Sequence, residues 1–322
     1  MKKSIMLLLL IGVSNAFAQH TNFNSQKKWS LNKKEIFFGL GATQFLGDLG
    51  GQDQAGSDYN LRDIDLPATS FASMVGYRYR FRPHWATSTV LNVAMVSGDD
   101  KNTKDIIRNS RNLHFRSMII ELQQRLEFIV FSNEKVGNRH NINSHRRKSR
   151  GRNEQLYVFS GAGISYFNPK AKYNGKWVAL RPLSTEGQVF GKAEGEVLGL
   201  TATIPFGLGL RMGLGSFWRL GIEASYIKTF TDYIDDVHGK YFDPAILASE
   251  IGPEAAYLSN PSTQNTSWFA PGQQRGDIEN DAYFYLNLTL ARNLTYKNYA
   301  KQRKKIVKPT KPFTTNISNK PL

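Results

Sequence analysis

The feature that most constrains this chain is a strict alternation of apolar and other residues, clearest between Leu198 and Met212. Every even position there is apolar, and the odd positions hold Gly, Thr, Pro or Arg. A period of two is that of a β-strand, which then has one greasy face and one small or polar face. Segments of this kind predict eight strands, at about 35–46, 68–81, 84–97, 112–131, 154–167, 198–212, 217–231 and 281–295.

The first residues have the pattern of an export signal. Lys2 and Lys3 precede an apolar run from Ile5 to Val13, and Ala16-Phe17-Ala18 supplies the small residues of a cleavage site. We therefore predict a signal peptide at 1–18. The chain has no Cys, so we expect no disulfides, lipid anchor or cysteine chemistry.

In an exported chain with such strands, the apolar face of each strand either covers a soluble core or faces lipid. After the signal, no segment approaches the roughly 20 apolar residues of a membrane helix. Long loops on one side only, together with the signal, favour lipid. The predicted fold is all-β, an eight-stranded antiparallel transmembrane β-barrel of the small OmpA/OmpX-like type with long extracellular loops, located in the outer membrane.

The connections predict the topology. An even strand number puts both termini on one side, the periplasm in bacterial barrels. We expect tight periplasmic turns at 82–83 and 213–216, and long outer loops at 47–67, 98–111, 168–197 and 232–280. The long inner connection 132–153 departs from this pattern. The predicted organisation is a signal peptide at 1–18, a periplasmic segment at 19–34, the barrel at 35–295 and a basic, disordered periplasmic tail at 296–322.

Charge separates the two sides independently of the strand pattern. The three inner segments hold four, seven and eight Lys or Arg, with Glu134 as their one acid. Together they carry a net charge of +18, whereas the four outer loops carry −7. The separation supports a common compartment for the basic segments.

The basic inner segments suggest a partner. Nucleic acid is not expected for an exported barrel; a periplasmic acidic partner, peptidoglycan or the inner-leaflet surface fits better. The alternative is that 139–152 and the tail are merely solvated, disordered stretches. The candidate periplasmic partner-binding residues are Arg146, Arg147, Lys148, Arg150 and Arg152.

A barrel of about eight strands is filled by its inward side chains. Charges cannot stand isolated there, so we expect inward arginines to pair with inward carboxylates, as a structural plug and not a catalytic site. The predicted pairs join Arg78, Arg80, Arg125, Arg211 and Arg219 to Glu121, Glu127 and Glu223. Gly207 and Gly209 are small inward positions that leave room for bulky neighbours.

Aromatic residues predict two girdles at the membrane interfaces. The inner girdle comprises Tyr77, Tyr79, Phe81, Trp85 and Trp218. The outer girdle comprises Tyr166, Phe167, Phe230, Tyr283 and Tyr285.

Catalytic and metal-binding patterns are weak. The six His show no metal-ligand spacing. A lipid hydrolase would need a Ser–His pair facing lipid, and Ser110 and His114 are the candidates. Arg116 lies on the same face as His114, so contact of His114 with lipid headgroup phosphates is preferred to a catalytic role. A cation site is one interpretation of Asp232, Asp235 and Asp236. The preferred interpretation is an acidic turn. We expect no enzyme activity, metal or cofactor.

The chain resembles a family of Bacteroidetes outer-membrane barrels, the PorG-type (DUF6089-like) component of the type IX secretion system. The segments that carry the resemblance lie within about 40–295: Gly41 to Gly50, Arg111 to Arg116, Tyr157 to Gly163, Phe167 to Ala171, Leu180 to Gln188 and Thr231 to Val237. The basic insertion 139–152 and the long tail have no match in the family.

The resemblance implies a small barrel in contact with outer-membrane lipid or lipopolysaccharide. From the periplasm it would touch the ring built by a lipoprotein and its soluble partner, docking that ring to the outer membrane. The contact residues of the family cannot be transferred to positions here. The alternative is an autonomous small barrel with a structural or surface ligand-binding role.

Overall fold

The computed structural model describes residues 29–49, 68–103, 105–133, 154–190, 199–214, 217–262, 267–276 and 279–294. The predicted signal peptide, the segment 134–153 and the tail from 295 onward lie outside the described residues. The described residues form nine strands: β1 (Lys34–Leu46), β2 (Ser70–Arg80), β3 (Trp85–Asp99), β4 (His114–Asn133), β5 (Glu154–Tyr173), β6 (Lys176–Ala179), β7 (Leu200–Gly213), β8 (Trp218–Thr229) and β9 (Ala282–Asn293).

Eight of the strands close into a barrel. Each of β1 to β4 pairs antiparallel with the strand that follows it, and β5 pairs with β7. The ring of strands then continues through β8 and β9 back to β1. Closure leaves no free edge in the ring. The prediction of an eight-stranded antiparallel barrel is therefore confirmed.

The strand β6 lies outside the ring. Among the described residues it pairs with the end of β5 alone, where Tyr173 and Lys176 face each other across a turn at Asn174 and Gly175. Both turn residues have positive φ, 48° and 78°, which Asn and Gly tolerate well. The resulting hairpin extends β5 beyond the predicted end of the strand at residue 167.

The two ends of the barrel differ. At the short-turn end, β2 and β3 meet at residues 81–84, where the Trp85 amide donates to the Arg82 carbonyl over 3.3 Å. The second short turn lies between β7 and β8, with the Leu214 amide donating to the Trp218 carbonyl over 2.9 Å. All other described connections lie at the opposite, long-loop end.

The described parts of the long loops contain three short α-helices: α1 (Ile106–Arg111), α2 (Pro244–Glu250) and α3 (Pro253–Ser259). Asp105 caps α1 and Asp243 caps α2, each accepting a backbone amide of the first turn. None of the helices in the described part of the chain is long and apolar enough to cross a membrane.

The outer surface of the barrel is apolar, the reverse of a soluble protein. Phe38, Leu122 and Leu288 are 49%, 55% and 60% exposed, and similar residues form a belt around all eight strands. An apolar area of this extent is far larger than a soluble monomer exposes. The inward positions between them are polar or charged, which is the distribution that a lipid environment requires.

The outer aromatic girdle is partly wrong. Tyr166 and Phe230 are exposed as predicted, but Phe167, Tyr283 and Tyr285 are buried inside the barrel. The reason is parity: these three share the inward face with residues such as Ser165 and Asn287. All five residues of the predicted inner girdle are exposed.

The interior changes character along the barrel axis. An apolar cluster that includes Phe45, Phe115, Ile234 and Val237 fills the long-loop end. Towards the short-turn end the buried side chains are charged, and they form the candidate site described next.

Candidate functional site

The short-turn half of the interior holds a network of arginines and carboxylates. Arg78 Nε lies 2.6 Å from Glu127 Oε2, and Arg78 Nη1 lies 3.3 Å from Glu35 Oε2. Arg219 Nη1 approaches Glu35 Oε1 to 2.9 Å, and Arg211 Nη1 lies 3.7 Å from Glu127 and 3.8 Å from Glu35. All five side chains are buried, so the opposite charges compensate one another away from water.

A second ion pair crosses the barrel one level higher. Arg125 on β4 lies 2.5 Å from Glu223 on β8, and the Tyr157 hydroxyl donates to the other Glu223 oxygen over 2.6 Å. The guanidinium of Arg125 stacks on Phe159 at 4.5 Å, and that of Arg211 stacks on Tyr157 at 4.6 Å. Ring faces are suited to a guanidinium because it is planar and weakly hydrated.

Two glycines make room for these rings. Gly209 is paired with Tyr157 across β7 and β5, and Gly207 is paired with Phe159. A Cβ at either glycine would overlap the ring opposite it. The alternation of Gly with apolar residues in β7 therefore reflects the width of the aromatic side chains inside the barrel.

The structure departs from the predicted set of lumen ion pairs at Glu121, Arg80 and Glu35. Glu121 accepts hydrogen bonds from Thr203 at 2.8 Å and Asn92 at 3.4 Å, and it forms no ion pair with any of the described residues. Arg80 lies at the rim, where its Nε donates to the Pro83 carbonyl over 3.1 Å. Glu35, which contacts three arginines, is the residue that the sequence interpretation missed. Its inward parity in β1 was the available signal.

A second polar cluster, the loop cap, closes the long-loop end. Arg111 makes a bidentate pair with Asp100 at 2.8 and 2.9 Å, and it also donates to the backbone carbonyls of Asp48 and Arg275. Arg275 in turn lies 2.8 Å from Glu186. These five residues come from four different loops, so the cap fixes the loops to one another.

Glu186 also holds the acidic turn of the last long loop. It accepts the backbone amides of His238 at 2.9 Å and Gly239 at 3.2 Å. Nearby, Thr185 donates to Asp236 over 2.6 Å, and the His238 ring lies 2.6 Å from Asp232. Because Arg275 also donates to the Asp236 carbonyl over 2.6 Å, the acidic turn is part of the loop cap. Of the segments that carry the family resemblance, those at 41–50, 111–116, 180–188 and 231–237 therefore contribute to the cap.

Burial shifts the acidity of the cap carboxyls. It raises the pKa of Asp236 to about 7, with the Glu186 charge adding to the rise and Arg275 and Thr185 opposing it. Burial also raises the pKa of Asp235, and the nearby Asp281 and Asp48 carboxylates act in the same direction.

The remaining residues singled out in the sequence are the hydrolase candidates, the metal-ligand candidates and the partner-binding residues. Ser110 is buried in α1, and the His114 Nε2 atom accepts the Lys172 amide over 2.9 Å. Within the described ranges, no group of His, Asp and Glu is arranged to hold a metal ion. The predicted partner-binding residues Arg146, Arg147, Lys148, Arg150 and Arg152 lie outside the described residues.

Strand closure, the apolar belt and the charged interior define the class: a small transmembrane β-barrel of the outer-membrane type. No protein-family model and no curated protein match the sequence. Among solved structures, the chain is similar to the attachment invasion locus protein Ail of Yersinia pestis, with 10% identity, a TM-score of 0.32 and coverage of 81% of this chain and 98% of Ail.

Two further structures have comparable similarity. Neisserial surface protein A shows 7% identity and a TM-score of 0.34, over 81% of this chain and 97% of its own. The outer membrane protein OprG from Pseudomonas aeruginosa shows 10% identity and a TM-score of 0.30, over 81% and 95%. The barrel assignment rests on the strand pairing of this chain itself.

Proposed function

We propose that this protein is an outer-membrane barrel of type IX secretion that docks the periplasmic ring complex to the membrane. In this proposal a signal peptide directs export in a bacterium of the Bacteroidetes. The short-turn end and both termini face the periplasm. The observation that carries the proposal is the concentration of positive charge at that end, in a chain that resembles the PorG-type barrels.

The described rim of the short-turn end contributes to this charge. Lys34, Arg82 and Arg292 are exposed there, and Lys33 is half-buried beside Trp29, with its Nζ 5.0 Å from the ring centroid. Glu154 is the one carboxylate near the surface of this rim among the described residues. The basic segments 19–34, 132–153 and 296–322 are joined to strand ends at this rim, so their positive charge adds to that of the rim as an attraction for an acidic partner.

The interior network supports a docking role over transport. Buried ion pairs span the lumen from β4 to β8, and the loop cap covers the opposite end. A plugged barrel offers its rim and its tails as contact surfaces, with the barrel as a membrane anchor.

A clean deletion of the gene tests the proposal directly. We expect secreted cargo to accumulate in the periplasm and to be released again when the wild-type gene is restored. Normal secretion in the deletion strain would contradict the docking role and leave the autonomous barrel.

A charge-matched pair of variants tests the rim. Lys34→Gln/Arg82→Gln/Arg292→Gln should weaken capture of the ring proteins, most strongly at low salt, because exposed charges are screened over about 8 Å at physiological ionic strength. Lys101→Gln/Lys228→Gln/Lys240→Gln removes the same charge at the long-loop end and should not weaken capture. Equal capture by both variants would show that the rim charge is not the contact.

The runner-up is an autonomous barrel that binds a surface ligand through its long loops. The ordered loop cap favours it, because four loops are fixed around buried ion pairs. Removal of 244–259, which includes α2 and α3, should then abolish the surface role and leave secretion normal. The docking proposal expects secretion to be unchanged by that removal as well, so the deletion strain decides between the two.

We further propose that the barrel has no lipid-hydrolase activity. His114 Nε2 is engaged by the Lys172 amide, and Ser110 is buried in α1. Loss of acyl chains from lipopolysaccharide that depends on His114 would contradict this.

A further inference from the structure

A cationic patch lies on the outward wall of the barrel at the long-loop end, built by β4, β5 and the β6 hairpin. It comprises His114, Arg116, Lys170, Lys172 and Trp177. The strand register places Arg116 opposite Lys170, and Lys172 opposite Trp177. All five share the outward parity of the lipid-facing residues of their strands.

The indole of Trp177 organises the patch. The Arg116 guanidinium lies 3.7 Å from the ring centroid and the Lys172 ammonium 5.2 Å from it. The His114 ring meets the same indole edge-on at 6.3 Å and is held in place by its bond to the Lys172 amide. Two cations are thus held beside one ring on the barrel wall.

The patch sits directly above the apolar belt. Met118 follows Arg116 on the outward face of β4, and Tyr166 precedes Lys170 on that of β5; both are exposed. Any ligand of the patch therefore lies at the level where lipid acyl chains give way to headgroups.

The surrounding charges leave the patch positive. Asp99 lies opposite His114 on β3, where it caps a turn by accepting the Lys101 amide over 3.0 Å. Lys101 adds a positive charge beside it, and Lys176 adds another at the tip of the hairpin. Asp99 is the one acid that acts on His114 among the described residues.

We propose that this patch binds the phosphate groups of a phosphorylated lipid in the outer leaflet. Arg116 and Lys172 supply charge-assisted hydrogen bonds to phosphate, and Met118 and Tyr166 contact the acyl chains below it. The choice of leaflet rests on the proposed orientation, with the long loops outside.

The barrel wall provides its own control. Lys228 on β8 is also outward, exposed and near the long-loop end, with Tyr226 and Phe230 as outward neighbours. It has no second cation opposite it, since its register partners are Ile204 and Ala282. The two sites differ in the clustering of charge around Trp177, which is the feature that the proposal invokes.

Native mass spectrometry of the full-length barrel in micelles tests the proposal, with bisphosphorylated lipid A as the probe. The variant Arg116→Gln/Lys172→Gln should weaken binding at least about tenfold, the effect of one lost charge-assisted contact or more. Trp177→Leu should weaken it without changing the charge. The control Lys228→Gln/Lys240→Gln, with the same loss of charge, should bind as the wild type does. Folded protein is verified for each variant by its heat-modified mobility on gels.

The phosphate requirement is tested separately. Dephosphorylated lipid A should bind the wild type and Arg116→Gln/Lys172→Gln equally weakly, and inorganic phosphate alone should not occupy the patch. Equal binding of phosphorylated lipid by the patch and control variants would overturn the proposal, as would saturation by inorganic phosphate. These measurements use the purified barrel and do not depend on secretion. The lipid-binding proposal can therefore fail while the secretion role stands, and the secretion role can fail while lipid binding stands.

Discussion

Arg125 on β4 and Glu223 on β8 form a 2.5 Å ion pair although 98 residues separate them along the chain. Their strands are not neighbours in the barrel, so the pair spans the lumen. The buried Arg78, Glu35 and Glu127 form further pairs nearer the short-turn end. The short-turn half of the interior is therefore a charged, filled core.

Removing one partner of the spanning pair should destabilise the barrel. Glu223→Gln leaves Arg125 buried with a lost counter-charge, and we expect a cost of about 3–5 kcal/mol in the free energy of unfolding. Urea unfolding of the barrel in lipid vesicles measures it. Glu154→Gln, at the rim, is the matched control and should cost less than about 1 kcal/mol.

The double variant Arg125→Met/Glu223→Gln removes both charges. It should recover a large part of the stability lost by Glu223→Gln, because no uncompensated charge then remains buried. A double variant as unstable as the sum of its single variants would show that the pair is not coupled.

The filled interior also predicts the electrical behaviour of the barrel. In planar bilayers we expect no steady large conductance from the wild type, because side chains from β4, β5 and β8 meet across the lumen. A stable open channel with unmodified protein would contradict the interior described above.

The loop cap should be pH-dependent. The pKa of Asp236 is about 7 in the closed cap and about 3.9 when the loop is open, so the carboxyl favours the closed cap most strongly below pH 4. This contribution is lost as the pH rises through 7, and its upper limit is roughly 4 kcal/mol. Hydrogen exchange at the His238 and Gly239 amides, corrected for intrinsic rates, should show more protection at pH 5 than at pH 8.

Asp236→Asn should reduce this pH dependence and increase protection at pH 8. The amide is neutral throughout and can still accept the Thr185 hydroxyl, and Asn tolerates the positive φ of 66° at this position. Some dependence should remain, because the pKa of Asp235 is raised too. Asp243→Asn, at the start of α2, should leave the slope unchanged; a slope unaffected by Asp236→Asn would contradict the assignment.

The sequence predicts the barrel wall well because lipid imposes a period of two on every strand. The predicted strands at 35–46 and 198–212 correspond to Lys34–Leu46 and Leu200–Gly213 in the structure. The alternation of inward and outward positions along a strand also places Glu35, Tyr283 and Tyr285 inside the barrel. The two tyrosines were wrongly assigned to a girdle because that prediction used only their aromatic character.

The loop cap could not be predicted in the same way. Arg111, Asp100 and Glu186 come together because four loops of different lengths fold over one end, and no periodicity records those contacts. The β6 hairpin was missed for a related reason: it lies beyond the apolar belt, where the alternation of apolar and polar residues need not continue. Four of the resemblance segments nevertheless contributed to the cap.

In the proposed topology the barrel spans the outer membrane with its short-turn end in the periplasm, where the proposed ring complex could reach it. The chain has no Cys, so single cysteines can be labelled on intact cells with an impermeant maleimide. Lys240→Cys and Gly272→Cys, at the long-loop end, should be labelled. Arg82→Cys should be labelled only after the outer membrane is permeabilised. Labelling of Arg82→Cys in intact cells, with Lys240→Cys protected, would contradict this topology.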